Sequence, residues 1–212
     1  MEKYGRDIRA LLFDLDGVVL DTEGQYSAFW GWVGREKFPH VPDFARRIKG
    51  QTLVRIKADY FASEEDLAWI DRELDTFERQ MDYLYVPGAE ELLRECVERG
   101  IPTALVTSSD QAKMRKVHER HPELAGLFAR IFTAEDFQRS KPAPDCYIGA
   151  ARSLGLNPAE CIVIEDSPNG LRAARESGAR VVGITTTCPA EQIRPLADVL
   201  VESMDEVRAF LR

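Results

Sequence analysis

Near the amino end, Phe13-Asp14-Leu15-Asp16-Gly17-Val18-Val19-Leu20-Asp21-Thr22 sets two carboxylates two positions apart at the end of a short apolar run. On an extended segment such a pair projects to one side, and acids gathered there cost stability unless a cation is bound. A lone D-x-D is equally a turn with solvated acids, so its company decides. Glu165-Asp166-Ser167 follows another apolar run, and carboxylate oxygens suit a hard cation such as Mg²⁺. Thr107-Ser108-Ser109 closes a third run with hydroxyls that can hold phosphate oxygens, or simply precede a helix starting at Asp110. Lys141 lies between Gln138-Arg139-Ser140 and Pro142-Ala143-Pro144, in a loop where a lysine is ordinarily solvated.

Strands must bring these groups together. Residues 9–15, 101–106, 131–133, 161–164 and 180–185 are short apolar runs bounded by turn signals, as in strands covered on both faces, and 198–201 is a candidate sixth. Between them, 89–99, 111–120, 144–154 and 168–177 repeat apolar residues three and four apart and read as amphipathic helices. Gly100 and Gly178 fall at left-handed C-terminal caps, and Ser167-Pro168 reads as an N-cap with proline at the first helical position. The alternation implies an α/β fold with a doubly wound parallel sheet, Rossmann-like, whose ligands sit at the carboxyl ends of strands. Residues 22–85 interrupt it: they show no convincing strand, but helical periodicity in Tyr26, Phe29, Trp30 and Val33, and in Leu67, Ile70, Leu74 and Phe77. The expected division is a core of 1–21 and 86–212 with a helical insert of 22–85, Pro87-Gly88 marking the return.

At 212 residues, 44% apolar and 30% charged, the chain has the composition of a globular protein. Its formal charge of −8 argues against a nucleic-acid binder. The apolar runs are too short to span a membrane, and Asp14 and Asp16 would interrupt a secretion signal, so a cytoplasmic location is expected. Cysteines 96, 146, 161 and 188 lack C-x-x-C spacing and read as reduced structural residues. Neither a dinucleotide fingerprint nor a P-loop occurs.

Acid pair, hydroxyls, lysine, acid pair, each after a strand, is an order that resembles the haloacid dehalogenase-like hydrolase superfamily. The matching motifs are D-x-D-G-[TV] at Asp14 and Asp16, T-S-S at Thr107, K-P-x-P-D at Lys141 and E-D-S-x-x-G at Glu165, within a similarity covering residues 9–187. The insert resembles the family's C1 cap, in the branch of β-phosphoglucomutase and sugar-phosphate phosphatases. The resemblance implies that Asp14 is a nucleophile forming an aspartyl-phosphate and that Asp16 is general acid and base. It implies that Thr107 binds the transferring phosphoryl oxygens and that Lys141 offsets charge on Asp14 and the phosphoryl group. It also implies Mg²⁺ held by Asp166 with Glu165 beside it, by the Asp14 side chain and by the Asp16 main-chain carbonyl. Ser108, Thr22 and the Lys49-Gly50 turn are expected to face substrate.

Asp16 speaks against dehalogenation, because a departing halide needs no proton. β-Phosphoglucomutases carry a histidine on the first cap helix and an arginine three residues beyond the K-G glycine; the matching positions here are Tyr26 and Leu53. The expectation is therefore a Mg²⁺-dependent phosphatase, acting as a monomer on a small phosphorylated metabolite such as a sugar phosphate. A hexose phosphate mutase is the alternative, should Arg55 replace the missing arginine.

Overall fold

Ala10, Leu11, Leu12 and Phe13 alternate between two apolar layers: Leu11 and Phe13 join one buried cluster, Ala10 and Leu12 the other. The same alternation separates Leu105 from Ala104 and Val106, and Ile162 and Ile164 from Cys161 and Val163. A strand apolar on both faces needs helices on both. The computed structural model, which describes residues 8–49 and 51–211, shows that arrangement.

Six strands, β1 (Ala10–Phe13), β2 (Thr103–Val106), β3 (Arg130–Phe132), β4 (Cys161–Glu165), β5 (Arg180–Ile184) and β6 (Val199–Val201), pair in parallel in the order β3-β2-β1-β4-β5-β6. The order reverses between β1 and β4, and at that switch point the connections leave in opposite directions and open a crevice beyond the carboxyl ends. Asp14 takes the last rung there, its N–H donating to the Ile164 carbonyl at 3.1 Å.

The helices are α1 (Glu23–Lys37), α2 (Phe44–Ile48), α3 (Leu53–Tyr60), α4 (Glu64–Gln80), α5 (Ala89–Glu98), α6 (Gln111–Arg120), α7 (Leu124–Leu127), α8 (Asp145–Ser153), α9 (Pro168–Ser177), α10 (Ala190–Ile193) and α11 (Met204–Arg208). Helices α5, α6 and α11 bury residues on the Leu11 face, α8 and α9 on the Leu12 face. Helix α9 starts as its sequence dictates, with Ser167 Oγ accepting from Gly170 N–H and Pro168 at the first turn; it ends at Gly178 with φ 86°.

Helices α1–α4 gather around a third cluster that includes Phe29, Trp30, Val33, Phe44, Ile56 and Ile70. The chain enters and leaves this group side by side: Asp21 N–H donates to the Leu84 carbonyl at 2.8 Å and Val86 N–H to that of Val19 at 3.0 Å. All four cysteines are buried and unpaired, and burial pushes the thiols of Cys96, Cys146 and Cys161 up to about 11, which keeps them unreactive. Among the described residues no helix is long and apolar enough to cross a membrane.

Candidate active site

The turn after β1 shapes the first half of the site. Gly17, at φ 80°, lets the N–H groups of Val19 and Leu20 fold back onto the Leu15 carbonyl, both at 2.8 Å, so that Asp14 and Asp16 emerge on one side of a tight loop. An added Cβ at residue 17 would stand 2.5 Å from Asp166 Oδ2, so the loop and the end of β4 approach as closely as glycine allows.

Lys141 reaches into this junction from the loop before α8. Its ammonium, 4% exposed, donates to Asp14 Oδ1 at 2.6 Å, to Glu165 Oε1 at 2.7 Å and to the Val106 carbonyl at 3.1 Å. Burial opposes its charge, but Asp14 and Glu165 outweigh that and hold it well above the usual lysine value. Burial pushes the Asp14 carboxyl up to about 7 against the pull of Lys141.

Glu165 and Asp166 are adjacent in sequence but differ in surroundings. Glu165 Oε1 accepts from Lys141 and from the Tyr147 hydroxyl at 3.0 Å; Oε2 accepts the N–H groups of Asp166 and Ser167, each at 3.0 Å, and the Ser167 hydroxyl at 3.1 Å. Both oxygens are therefore committed, and Glu165 is better placed to anchor Lys141 and the α9 turn than to ligate a cation. Asp166 is the opposite case. It is 1% exposed, and among the described residues its Oδ2 has no hydrogen-bond partner. Burial, with Glu23, Glu165 and Asp14 nearby, drives its carboxyl well above the ordinary range.

Oxygens of Asp14, Glu165 and Asp166 lie within 4.8 Å of one another. Three buried acids against one buried lysine, with an orphaned carboxylate oxygen among them, fit a hard divalent cation bound through oxygen.

Asp16 stands apart from that cluster. Its Oδ1 accepts from the Thr22 hydroxyl and from Lys113 Nζ, and its Oδ2 accepts from Ser109 Oγ at 3.0 Å. Burial alone would raise its carboxyl, but Lys113 and the two hydroxyls hold it below the usual carboxylate range. The buried Lys113 also sits over the Tyr26 ring, 4.3 Å from its centroid. The Tyr26 hydroxyl donates to Glu78 Oε1 at 2.8 Å, and Glu78 Oε2 accepts from Lys116 at 2.8 Å. Neither Lys113 nor Lys116 stood out in the sequence; their spacing of three at the start of the helix after Thr107-Ser108-Ser109 is the signal that was available.

The carboxyl ends of β1, β2 and β4 and the inner faces of α1–α4 enclose a cavity of about 130 Å³ that opens to solvent. Asp14, Asp16, Thr107, Ser108, Lys141 and Asp166 line its floor. Tyr26 and Leu53 line the opposite wall, as does Lys49, which is paired with Glu23 at 3.1 Å. Thr107 is buried and accepts the Ser109 N–H at 3.0 Å. Thr22, expected at the substrate, is instead 0% exposed beneath the cavity wall; its hydroxyl is given to Asp16, so it positions that carboxylate. Gly50 lies outside the described residues. Arg55, the possible stand-in for the mutase arginine, pairs with Asp59 at 2.7 Å and does not line this cavity.

The chain is similar to proteins already known. A family model described as haloacid dehalogenase-like hydrolase matches residues 8–178. The chain is 31% identical to validoxylamine A 7′-phosphate phosphatase of Streptomyces hygroscopicus subsp. limoneus, over 94% of this chain and 96% of that one. It is 30% identical to hexitol phosphatase A of Escherichia coli, over 94% and 93%. It is 29% identical to the bifunctional riboflavin kinase/FMN phosphatase of Arabidopsis thaliana, covering 93% of this chain but spanning only 54% of that longer protein. Among solved structures, a hydrolase from Deinococcus radiodurans with bound phosphate and sodium superposes with a TM-score of 0.74 at 27% identity, over 98% of this chain and 96% of that one.

Proposed function

The chain belongs to the haloacid dehalogenase-like hydrolases, and from that premise we propose that it is a Mg²⁺-dependent phosphatase that hydrolyses a small phosphomonoester, such as a sugar phosphate, through an aspartyl-phosphate. The observation that carries this reading is the separation of two aspartates two residues apart into different surroundings. Asp14 lies against Lys141 and the acid cluster, while Asp16 is held by two hydroxyls and Lys113, and both open into one cavity.

In this reading the Asp14 carboxylate attacks phosphorus, and the bond from phosphorus to the ester oxygen breaks. Asp16, held ionised in the free site, takes up the proton that a monoanionic ester brings and passes it to the departing alcohol; it then removes one from the water that attacks the aspartyl-phosphate and gives it up with the departing inorganic phosphate as Asp14 is restored. Lys141 offsets the repulsion between an anionic nucleophile and an anionic ester, and Thr107 and Ser108 offer hydroxyls to the phosphoryl oxygens. A magnesium ion held by Asp14 and Asp166, with the main-chain carbonyl of Asp16, would supply further neutralising charge and keep Asp14 ionised. Glu165 acts through Lys141, and Thr22 through Asp16. The helices α1–α4 serve as the cap that shields the reaction from bulk water.

The three relatives, each named in whole or part as a phosphatase, support hydrolysis over transfer. So do the pairings of Lys49 with Glu23 and of Arg55 with Asp59, which leave neither cation free for a bisphosphate intermediate. Phosphate release from a panel of sugar phosphates tests the proposal. It is expected to stop with EDTA and with Asp14→Asn, and metal-independent turnover surviving Asp14→Asn would overturn it.

A further inference from the structure

We propose that the cavity over Asp14 takes the monophosphate of an uncharged polyhydroxy alcohol, with Gln51 Oε1 accepting a hydrogen bond from a hydroxyl of the leaving group and the Glu23–Lys49 pair shutting out a second anionic group. This deepens the phosphatase reading and rests on it.

The charge on the cavity wall is the first argument. Each lysine that lines it is already matched by a carboxylate: Lys141 by Asp14 and Glu165, Lys113 by Asp16, Lys49 by Glu23. A second phosphate or carboxylate entering here would meet the Glu23 and Asp16 carboxylates with no uncommitted cation among the described residues of the wall. The exposed Arg46 and Arg47 line a neighbouring groove beyond Lys49. An ammonium and a carboxylate side by side do offer donor and acceptor to hydroxyls, which an uncharged polyol can use without breaking the pair.

Gln51 is the second argument. It lines the cavity, and its Oε1 is buried without a hydrogen-bond partner among the described residues. Its Nε2 donates to the Arg47 carbonyl at 3.0 Å, which fixes the amide, because the flipped form would set oxygen against oxygen. What remains is an acceptor that a ligand hydroxyl would satisfy.

The third argument concerns shape. The aromatic residues of this wall are already engaged: Trp30 packs on Phe29 and Phe44, and Tyr26 lies between Lys113 and Phe77. A base would have to stack on rings that already pack against other side chains. Ile48, Leu53, Ile56 and Leu74 present aliphatic surface that suits the C–H faces of a sugar or hexitol.

The experiment compares kcat/KM for sorbitol 6-phosphate, 6-phosphogluconate, fructose 1,6-bisphosphate and a nucleoside 5′-monophosphate, with p-nitrophenyl phosphate reporting on the core machinery alone. The neutral hexitol ester is expected to exceed the two esters with a second anionic group by about tenfold or more, since a like charge against a desolvated carboxylate is strongly disfavoured. Glu23→Gln, which frees Lys49, should narrow that ratio, and Gln51→Leu should raise KM for the hexitol ester more than it lowers kcat. A ratio of one or less, or a nucleotide preferred over the hexitol ester, overturns the inference while p-nitrophenyl phosphate hydrolysis leaves the phosphatase reading standing. No hydrolysis of any ester, p-nitrophenyl phosphate included, ends both.

Discussion

Gly170 shows how a residue outside the cavity can control the chemistry inside it. A Cβ built there would fall 1.6 Å from Glu165 Oε1, so the first turn of α9 rests directly on that carboxylate. The glutamate cannot swing away freely, because its oxygens hold Lys141, Tyr147, Ser167 and two backbone N–H groups. Gly170→Ala is therefore expected to displace Glu165 and, with it, the ammonium of Lys141. Overpacking of this kind costs about 1–3 kcal/mol, which thermal denaturation would register. Because Lys141 shifts too, kcat should fall more than KM changes, even though residue 170 touches no substrate. A variant with lowered thermal stability but unchanged kcat would show that Lys141 keeps its place without this support.

At the scale of elements, helices α1–α4, the proposed cap, are joined to the sheet core by more than the two strands of chain between them. Helix α6 of the core sends Lys113 to Asp16 and the Tyr26 ring of α1, and Lys116 to Asp75 and Glu78 of α4, at 2.7 and 2.8 Å. Lys116→Met would leave the buried Glu78 carboxylate with the Tyr26 hydroxyl as its remaining side-chain partner. An uncompensated buried polar group costs about 1–3 kcal/mol, and the cap can relieve this by lifting to admit water. Expected outcomes are a several-fold rise in KM and faster limited proteolysis of the 22–85 segment, with kcat changed less; unaltered proteolysis would argue that other contacts hold the cap. Such a network is what the sequence hides. The strands were legible to within about two residues, because apolar runs covered on both faces leave a continuous signature, and residues 198–201 do supply the sixth strand. The short helices α7, α10 and α11 were not read, since one turn or so lacks a period to detect. Asp14, Asp16, Thr107, Lys141 and Asp166 were singled out by their order after successive strands and the family resemblance that order carries, and one cavity does bring them together. The different situations of Glu165 and Asp166 were not legible, because adjacent acids look alike until the backbone turns one into the core and the other to the crevice. Lys113 escaped for the related reason that its partner lies 97 positions away.

For the whole molecule, the acid cluster places a local electrostatic burden at the crevice that the fold as a whole must carry. Asp14, Glu165 and Asp166 are buried together with Lys141 as the ammonium in direct contact, and Asp166 Oδ2 has no donor among the described residues. A buried unpartnered carboxylate oxygen destabilises the native state, and a divalent cation that bound only the folded chain, as proposed, would remove the penalty by mass action. At a cation concentration about a hundred times its dissociation constant, the stabilisation is about 2.7 kcal/mol. For a chain of this size, that is a rise in Tm of about 5–10 °C. Asp166→Asn separates this from a general ionic effect, and its sign is informative. Without metal the variant has no buried carboxyl that must be either ionised at a cost or kept protonated, and its amide can donate as well as accept, so its Tm should equal or exceed that of the parent. With Mg²⁺ added, the parent's rise should shrink or vanish in the variant. Thermal denaturation of both proteins in EDTA and in excess Mg²⁺ reads this without any substrate, so it stands apart from turnover. A metal-induced rise of equal size in both would remove Asp166 from the cation site, and a variant markedly less stable than the parent in EDTA would mean that Asp166 is held by the protein itself.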